Sequence, residues 1–320
     1  MPKNRSAPRA LKLAALLGAT ATALSACATP AADTSETVVA EGLAIYATTG
    51  YLADAAHAIA PDAAITTMVG PGGDPHTYQP STRDIQAILE ADAVLWNGLE
   101  LEAQMDELLE GQGERALAVG EVVPDELLIP VEGEGAAGLF DPHIWNSPEA
   151  WSIAIEAVAD HLAALDPDRA DDYAANASAY VAELEAVAAE AHELLADVPA
   201  PRILITGHDA FAYFGQTFDL DVHATDFIST EAALSARQLS GLADLIADNE
   251  VPVVFQDNQA SPQAITSLSE AVRARGWDVE ISREELFADS LGPTAPVDTH
   301  LGVFAHNARV IAEALAGGAR

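Results

Sequence analysis

One stretch near the middle of this 320-residue chain constrains its fold more than any other. It begins at Asp166-Pro167 and runs to about Ala196 with no glycine and no further proline. Because either residue would weaken or interrupt a helix, the stretch predicts one continuous helix. At about 1.5 Å per residue it would be on the order of 45 Å long. A helix of that length could cross between two cores as a stiff strut.

Short β-type runs alternate with helical patterns on both sides of this helix, which predicts an α/β fold with mainly parallel sheets. The predicted strands are 43–48, 64–69, 93–96, 116–119, 202–206 and 251–255. Further helices are predicted at 52–59, 81–90, from 147 onward, and 298–315. We therefore expect an N-terminal lobe at 38–147, a helical linker at 148–199 and a C-terminal lobe at 200–320.

The first residues have the pattern of a secretory leader. A basic start precedes an apolar run over 13–24, which is too short to span a bilayer. Leu24-Ser25-Ala26-Cys27 resembles the bacterial lipobox, in which the cysteine is lipidated. We expect a signal peptide at 1–26, lipidation of Cys27 and a tether at 27–37. The alternative is an ordinary signal peptide with an incidental cysteine. Cys27 is the only cysteine, so no internal disulfide can form.

The charge of the chain is strongly acidic, with 50 acidic and 14 basic residues. Four of the bases lie before residue 27, and none of the acids does. This balance argues against binding to nucleic acid, because phosphate contacts need clustered bases. It argues equally against electrostatic binding to anionic membranes.

Two short turns share the sequence Asp-Pro-His. One is Gly70-Pro71-Gly72-Gly73-Asp74-Pro75-His76 and the other is Asp141-Pro142-His143. Proline fixes φ, and the residue before it is pushed to an extended form, so each histidine stands on a stiff turn. A surface turn with an incidental histidine would explain one copy. The repetition favours a shared site.

Two more residues can join these histidines. His208 follows a predicted strand, the usual place for a site in an open α/β sheet, and Asp298 stands at the start of the last predicted helix. Three imidazoles and a carboxylate suit zinc, at about 2.0–2.2 Å per ligand. They would also accept manganese, more weakly. The sequence thus predicts a metal site made of His76, His143, His208 and Asp298.

Several motifs, in this order, resemble the substrate-binding lipoproteins of bacterial zinc and manganese ABC importers. They span about residues 38–318 and are Gly70 to Tyr78, Ala91-Asp92 through Trp96 to Glu102, Asp141 to Trp145, Gly207 to Phe214, Asp289-Ser290-Leu291-Gly292, and Asp298. The resemblance implies two α/β lobes joined by a long rigid helix, with the metal in the cleft. It also implies the ligands His76, His143, His208 and Asp298.

The resemblance further implies a partner and a location. The protein would be a monomer outside the cytoplasm, anchored to the membrane by its N-terminal lipid. It would pass a divalent metal ion to an ABC transporter permease. Zinc is expected in preference to manganese, because manganese-type members often carry Glu where this chain has His208. An acidic, histidine-rich loop typical of many zinc-type members is absent from 111–140.

The remaining histidines are expected to be structural. Five fall within helical or strand patterns: His57, His161, His192, His223 and His306. His300 occupies a place where the family usually has Tyr, and it lies close enough to Asp298 to approach the site. The sequence alone gives no physical account of it.

Two other classes of function are open to such a sequence. A zinc hydrolase would keep a metal position for water and need a nearby general base. The chain has no His-Glu-x-x-His helix and no nucleophile elbow. An adhesion protein would be served equally well by a lipid anchor. Four protein ligands fit holding a metal better than catalysis, so we expect a transport protein and not an enzyme.

Overall fold

The computed structural model describes residues 42–131, 136–230, 234–259 and 261–317. The predicted leader and Cys27 lie outside these residues. Eight strands are described: β1 Ala44–Ala47, β2 Ala64–Thr67, β3 Ala93–Trp96, β4 Ala116–Ala118, β5 Ile203–Thr206, β6 Asp221–Ala224, β7 Val253–Val254 and β8 Glu280–Ile281. The described α-helices are α1 Gly50–Ile59, α2 Thr82–Glu90, α3 Asp106–Glu110, α4 Pro148–Leu165, α5 Ala170–Ala196, α6 Ala212–Phe218, α7 Ala236–Asp248, α8 Pro262–Arg273 and α9 His300–Gly317.

The N-terminal half contains a parallel four-stranded sheet in the order β2-β1-β3-β4. Its strands coincide with the four predicted there to within two residues at either end. Helix α2 follows Ser81, the first residue of the predicted 81–90 helix, and the side chains of Ser81 and Asp84 form a capping box there. The carboxyl ends of β2 and β3 therefore lie at one edge of this sheet, and the chain leaves β2 toward His76.

The C-terminal half contains two parallel pairs, β5 with β6 and β7 with β8. The N–H of Phe255, just after β7, donates to the carbonyl of Ile205 in β5 at 2.8 Å, which joins the pairs. Strand β7 is shorter than predicted, and β8 lay in a segment for which no strand was predicted. The predicted fold class, α/β with parallel sheets flanked by helices and a long helix between the halves, is confirmed.

The long helix α5 links two hydrophobic cores. Pro167 opens a short 3-10 turn, so the regular helix starts at Ala170 and not at Asp166. Its 27 residues span about 40 Å. Tyr173 and Leu184 pack in the core beneath the N-terminal sheet. Ala191 and Leu195 pack in the core of the C-terminal half. Burial at both ends gives α5 the strut role that its sequence predicted.

The last helix also contacts both cores, through Val303 on one side and Phe304 on the other. It starts at His300, two residues after the predicted Asp298. The described residues belong to one compact unit, so the boundaries predicted for the lobes and the linker stay predictions. Among the described residues, no helix has the length and apolar character needed to cross a membrane.

Candidate metal centre

Four side chains meet where the two halves of the chain come together: His76, His143, His208 and Asp289. Each offers one ligand atom, and these atoms all lie within 4.8 Å of one another. The Nε2 atom of His143 is 3.3 Å from Nε2 of His76 and 3.2 Å from Nε2 of His208. All four residues are buried. The structure thus brings together the three histidines that the sequence singled out.

The carboxylate of Asp289 faces all three imidazoles. Its Oδ2 atom lies 3.1 Å from Nε2 of His208 and 3.5 Å from Nε2 of His76. Its Oδ1 atom lies 3.3 Å from Nε2 of His143. Within the described residues, neither oxygen has a hydrogen-bond partner outside this group. Since unpaired buried oxygens are costly, their convergence with three ring nitrogens fits a cation as the missing partner.

The predicted carboxylate, Asp298, is not in this group. Its side chain is exposed, just before α9, and Asp289 takes the place expected for it. A parallel β-bridge pairs Asp257 with Leu286, three residues before Asp289. This pairing places the buried segment that contains Asp289 beside Asp257, whose side chain holds the backbone of His208. Asp289 opened one of the motifs noted in the sequence, directly after apolar residues, so the signal was present.

The two Asp-Pro-His turns are built alike. Oδ1 of Asp74 accepts the N–H of His76 at 2.9 Å, and Oδ1 of Asp141 accepts the N–H of His143 at the same distance. Aspartate thus closes each turn onto its own backbone, while proline fixes the residue between. In addition, Asn97 donates from Nδ2 to the carbonyl of Pro142 at 3.0 Å. Asn97 therefore holds the His143 turn.

His208 is positioned by a different carboxylate. Oδ2 of Asp257 accepts the N–H groups of Gly207 and His208, at 3.0 and 2.8 Å. Oδ1 of Asp141 lies 2.7 Å from Nδ1 of His143, which makes Nδ1 the donor and leaves Nε2 free to face inward. Nδ1 of His208 has no such partner within the described part of the chain.

Neighbouring charges set the protonation of the group. Burial alone would lower the pKa of His143, but the charges of Asp141 and Asp289 outweigh it and raise that pKa to about 10. At His208, burial alone would also lower the pKa, but the charge of Asp289 outweighs burial and the pKa lies above its usual value. At His76 burial prevails over Asp289 and lowers the pKa to about 4. The pKa of Asp289, which burial would raise, is held well below its usual value by His208 and His143. The carboxylate stays ionised, and protons compete with a cation for the imidazoles.

Aromatic rings form one wall of the site. The ring of Trp145 meets His143 edge-on with centroids 5.2 Å apart, and Tyr51 stacks on Trp145 at 4.8 Å. Both Trp145 Nε1 and Tyr51 Oη donate to the carbonyl of Ala288, at 3.0 and 2.8 Å. This wall therefore supports the His143 turn and the backbone just before Asp289 together.

None of the other six histidines belongs to the group of four. Five of them lie in helices or in β6, as their sequence patterns predicted: His57, His161, His192, His223 and His306. His300 is buried, but its Nε2 donates to the carbonyl of Trp145 at 2.8 Å and its Nδ1 lies 3.1 Å from the Tyr180 hydroxyl. Both ring nitrogens are therefore occupied by protein partners.

Comparison with known proteins agrees with this arrangement. The sequence profile of the family described as "Zinc-uptake complex component A periplasmic" matches residues 45–314. The chain is 34% identical over 308 residues to the manganese-binding lipoprotein MntA of Bacillus subtilis, covering 95% of this chain and 98% of that protein. It is 33% identical over 288 residues to the zinc-binding protein TroA of Treponema pallidum, covering 88% and 92%. The solved structure of TroA from Treponema pallidum superposes with a TM-score of 0.81 at 32% identity, covering 86% of this chain and 99% of that one.

Fold, site and sequence thus define a solute-binding protein of a transport system. The chain belongs to the family of substrate-binding proteins of metal ABC transporters, and the resemblance noted in its motifs is confirmed. Members of this family are transport proteins and not enzymes, which sets the hydrolase alternative aside.

Proposed function

We propose that this protein captures one divalent transition-metal ion outside the cytoplasm, through His76, His143, His208 and Asp289, and delivers it to the permease of an ABC importer. The observation that carries the proposal is the convergence, in a buried space, of three Nε2 atoms and of two carboxylate oxygens that have no hydrogen-bond partner outside this group within the described residues. Imidazole and carboxylate groups are the ligands that such ions prefer.

Two variants, each of which replaces one of the candidate carboxylates by an amide, test this ligand set. Asp289→Asn removes the charge that faces the imidazoles and should weaken metal binding sharply. Asp298→Asn is the matched control, because that side chain is exposed, and it should bind like the wild type. Metal content after dialysis and competition with a chelator would measure both. A triple alanine variant at the histidines that still holds one metal ion per chain would overturn the assignment.

We further propose that the site prefers zinc over manganese, and this rests on His208. A neutral nitrogen favours zinc, whereas a carboxylate at this corner would be harder, negatively charged and able to bind through two atoms. His208→Glu should therefore narrow the gap between the two affinities. Competition titrations of both proteins with both metals at one pH would measure the ratio. A zinc-to-manganese ratio that is unchanged or larger in the variant would contradict the proposal.

The lipid anchor is a proposal as well, supported by Leu24-Ser25-Ala26-Cys27 and by a relative named a lipoprotein. Cys27→Ser should move the protein from the membrane fraction to the soluble extracytoplasmic fraction, as a monomer. Unchanged membrane retention of this variant would contradict lipidation at Cys27.

A further inference from the structure

The loop of residues 70–76, which carries His76, is tied to the C-terminal half by three hydrogen bonds. The N–H of Gly72 donates to Oγ of Ser290 at 3.0 Å. Nε2 of Gln259 donates to the carbonyl of Gly73 at 2.8 Å, and Oγ1 of Thr230 donates to Oδ2 of Asp74 at 2.6 Å. None of these bonds uses an atom that would bind the metal.

The same bonds connect the loop to the turns that hold the other ligands. The N–H of Gln259 donates to Oδ1 of Asp257, whose second oxygen holds the backbone of His208. Ser290 directly follows Asp289 and also accepts from Nδ2 of Asn258 at 2.8 Å. The loop is thus fastened to the supports of both ligands contributed by the C-terminal half.

The path of the loop is fixed by its glycines. Gly72 has a φ of +73°, a conformation that other residues rarely adopt. A Cβ atom on Gly73 would lie 2.7 Å from Cγ1 of Val69, too close for any side chain. With Pro71 and Pro75 on either side, the loop is stiff and should move as a unit.

The loop also lies on the solvent side of the site. His76 is 7% exposed, whereas His143, His208 and Asp289 are each 0% exposed. Gly72 is exposed, and Gly73, Thr230 and Gln259 are partly exposed. Of the four ligands, the one carried by the 70–76 loop is the most exposed, so this loop covers the site on its solvent side.

We propose that Thr230, Gln259 and Ser290 form a latch that holds this loop over the bound cation and sets the rate at which the cation is released. The latch residues are positioning residues, because they act through the loop and contact no ligand atom. This inference rests on the proposed function. It adds that release begins with the breaking of these bonds.

The test measures release and binding separately. Wild type, Thr230→Val, Gln259→Leu and the double variant are loaded with one equivalent of Zn²⁺ and mixed with excess chelator, and the transfer of metal is followed over time. A net hydrogen bond of about 0.5–1.5 kcal/mol corresponds to about a 2- to 12-fold faster release per bond. The double variant should be faster than either single one. Stoichiometry should stay at one, and the association rate should change less than the release rate.

Controls separate the latch from a general loss of structure. Thr230→Ser keeps the hydroxyl and should release metal like the wild type, whereas a damaged fold would lower the fraction of chains that bind. Wild-type release rates in a double variant that still binds one metal ion would overturn the latch, as would a serine variant that behaves like valine. If the wild type itself failed to bind stoichiometric Zn²⁺, the proposed function would fail instead.

Discussion

Two buried histidines contact Trp145, one its ring and the other its backbone carbonyl, and they show what separates a ligand from a structural residue. His143 is 0% exposed and meets the Trp145 ring edge-on, while His300 is 1% exposed and donates to the Trp145 carbonyl. Burial and distance from the aromatic wall are nearly the same for both. Their other partners differ.

The ring nitrogens of His143 face the carboxylates of Asp141 and Asp289, whereas those of His300 face a carbonyl and a hydroxyl. Asp141 engages only Nδ1 of His143, so its Nε2 faces the other ligands. His300 has both nitrogens engaged, by Trp145 and Tyr180, and burial lowers its pKa to about 4 despite the bond to the Trp145 carbonyl. A buried imidazole is thus a candidate ligand when one of its nitrogens has no hydrogen-bond partner outside the site.

The network around His300 also accounts for its presence. Oδ2 of Asp54 accepts the N–H of His300 at 3.0 Å, at the start of α9, and lies 3.2 Å from the Tyr180 hydroxyl. Asp54 belongs to α1 and Tyr180 to α5. His300 therefore links helices α1, α5 and α9 to the segment that contains Trp145, and it is not one of the four residues of the metal centre.

The largest expected difference between the two histidines is in metal affinity. His143→Ala removes an inward-facing nitrogen. Loss of a partner that only supports a ligand lowers metal affinity by about 10- to 100-fold, so loss of the ligand itself should weaken Zn²⁺ binding by more than about 100-fold. His300→Leu should keep one ion per chain with an affinity within about tenfold of wild type. Competition with a chelator of known affinity would measure both. Equal losses of metal affinity in the two variants would contradict the assignment of His143 as a ligand and His300 as a structural residue.

A smaller effect is expected from the carboxylate behind His143. Asp141→Asn removes the charge that orients Nδ1, and loss of such a partner lowers metal affinity by about 10- to 100-fold. The matched control is Asp54→Asn, which changes the carboxylate next to His300 and should leave metal affinity within a few-fold of wild type. The same titration serves both. A larger loss for Asp54→Asn would mean that the two networks are coupled.

The next smaller effect is a loss of folding stability when His300 is replaced. His300→Leu removes the donor to the buried Trp145 carbonyl and one of the two partners of the Tyr180 hydroxyl, which keeps Asp54. Unfolding of the metal-free protein in urea should show a loss of about 1–3 kcal/mol. His300→Gln can still donate to the carbonyl and should lose less. If leucine proved as stable as the wild type, the network would not contribute to stability.

Local patterns predicted much of this molecule. The strands of the N-terminal sheet, the Ser81 cap and the strut helix follow from periodicity and from glycine and proline placement. The His76 and His143 turns follow from a repeated tripeptide. The position of Asp289 beside the three histidines depends on the bridge between Asp257 and Leu286, and local spacing does not predict such a long-range pairing.

The pH dependence of stability should distinguish the two histidines by its sign. The pKa of His300 in the folded chain is about 4, below the usual 6.5, so the unfolded chain binds more protons between these values. Relative to His300→Gln, the metal-free wild type should lose stability as the pH falls from 6.5 to 4, by up to about 1.4 kcal/mol per pH unit. The pKa of His143 is about 10 when folded, so the folded chain binds more protons between 6.5 and 10. Relative to His143→Gln, the wild type should lose stability as the pH rises through that window. Urea unfolding across both windows would measure the slopes, and two slopes of the same sign would show that the surroundings of the histidines do not differ as described.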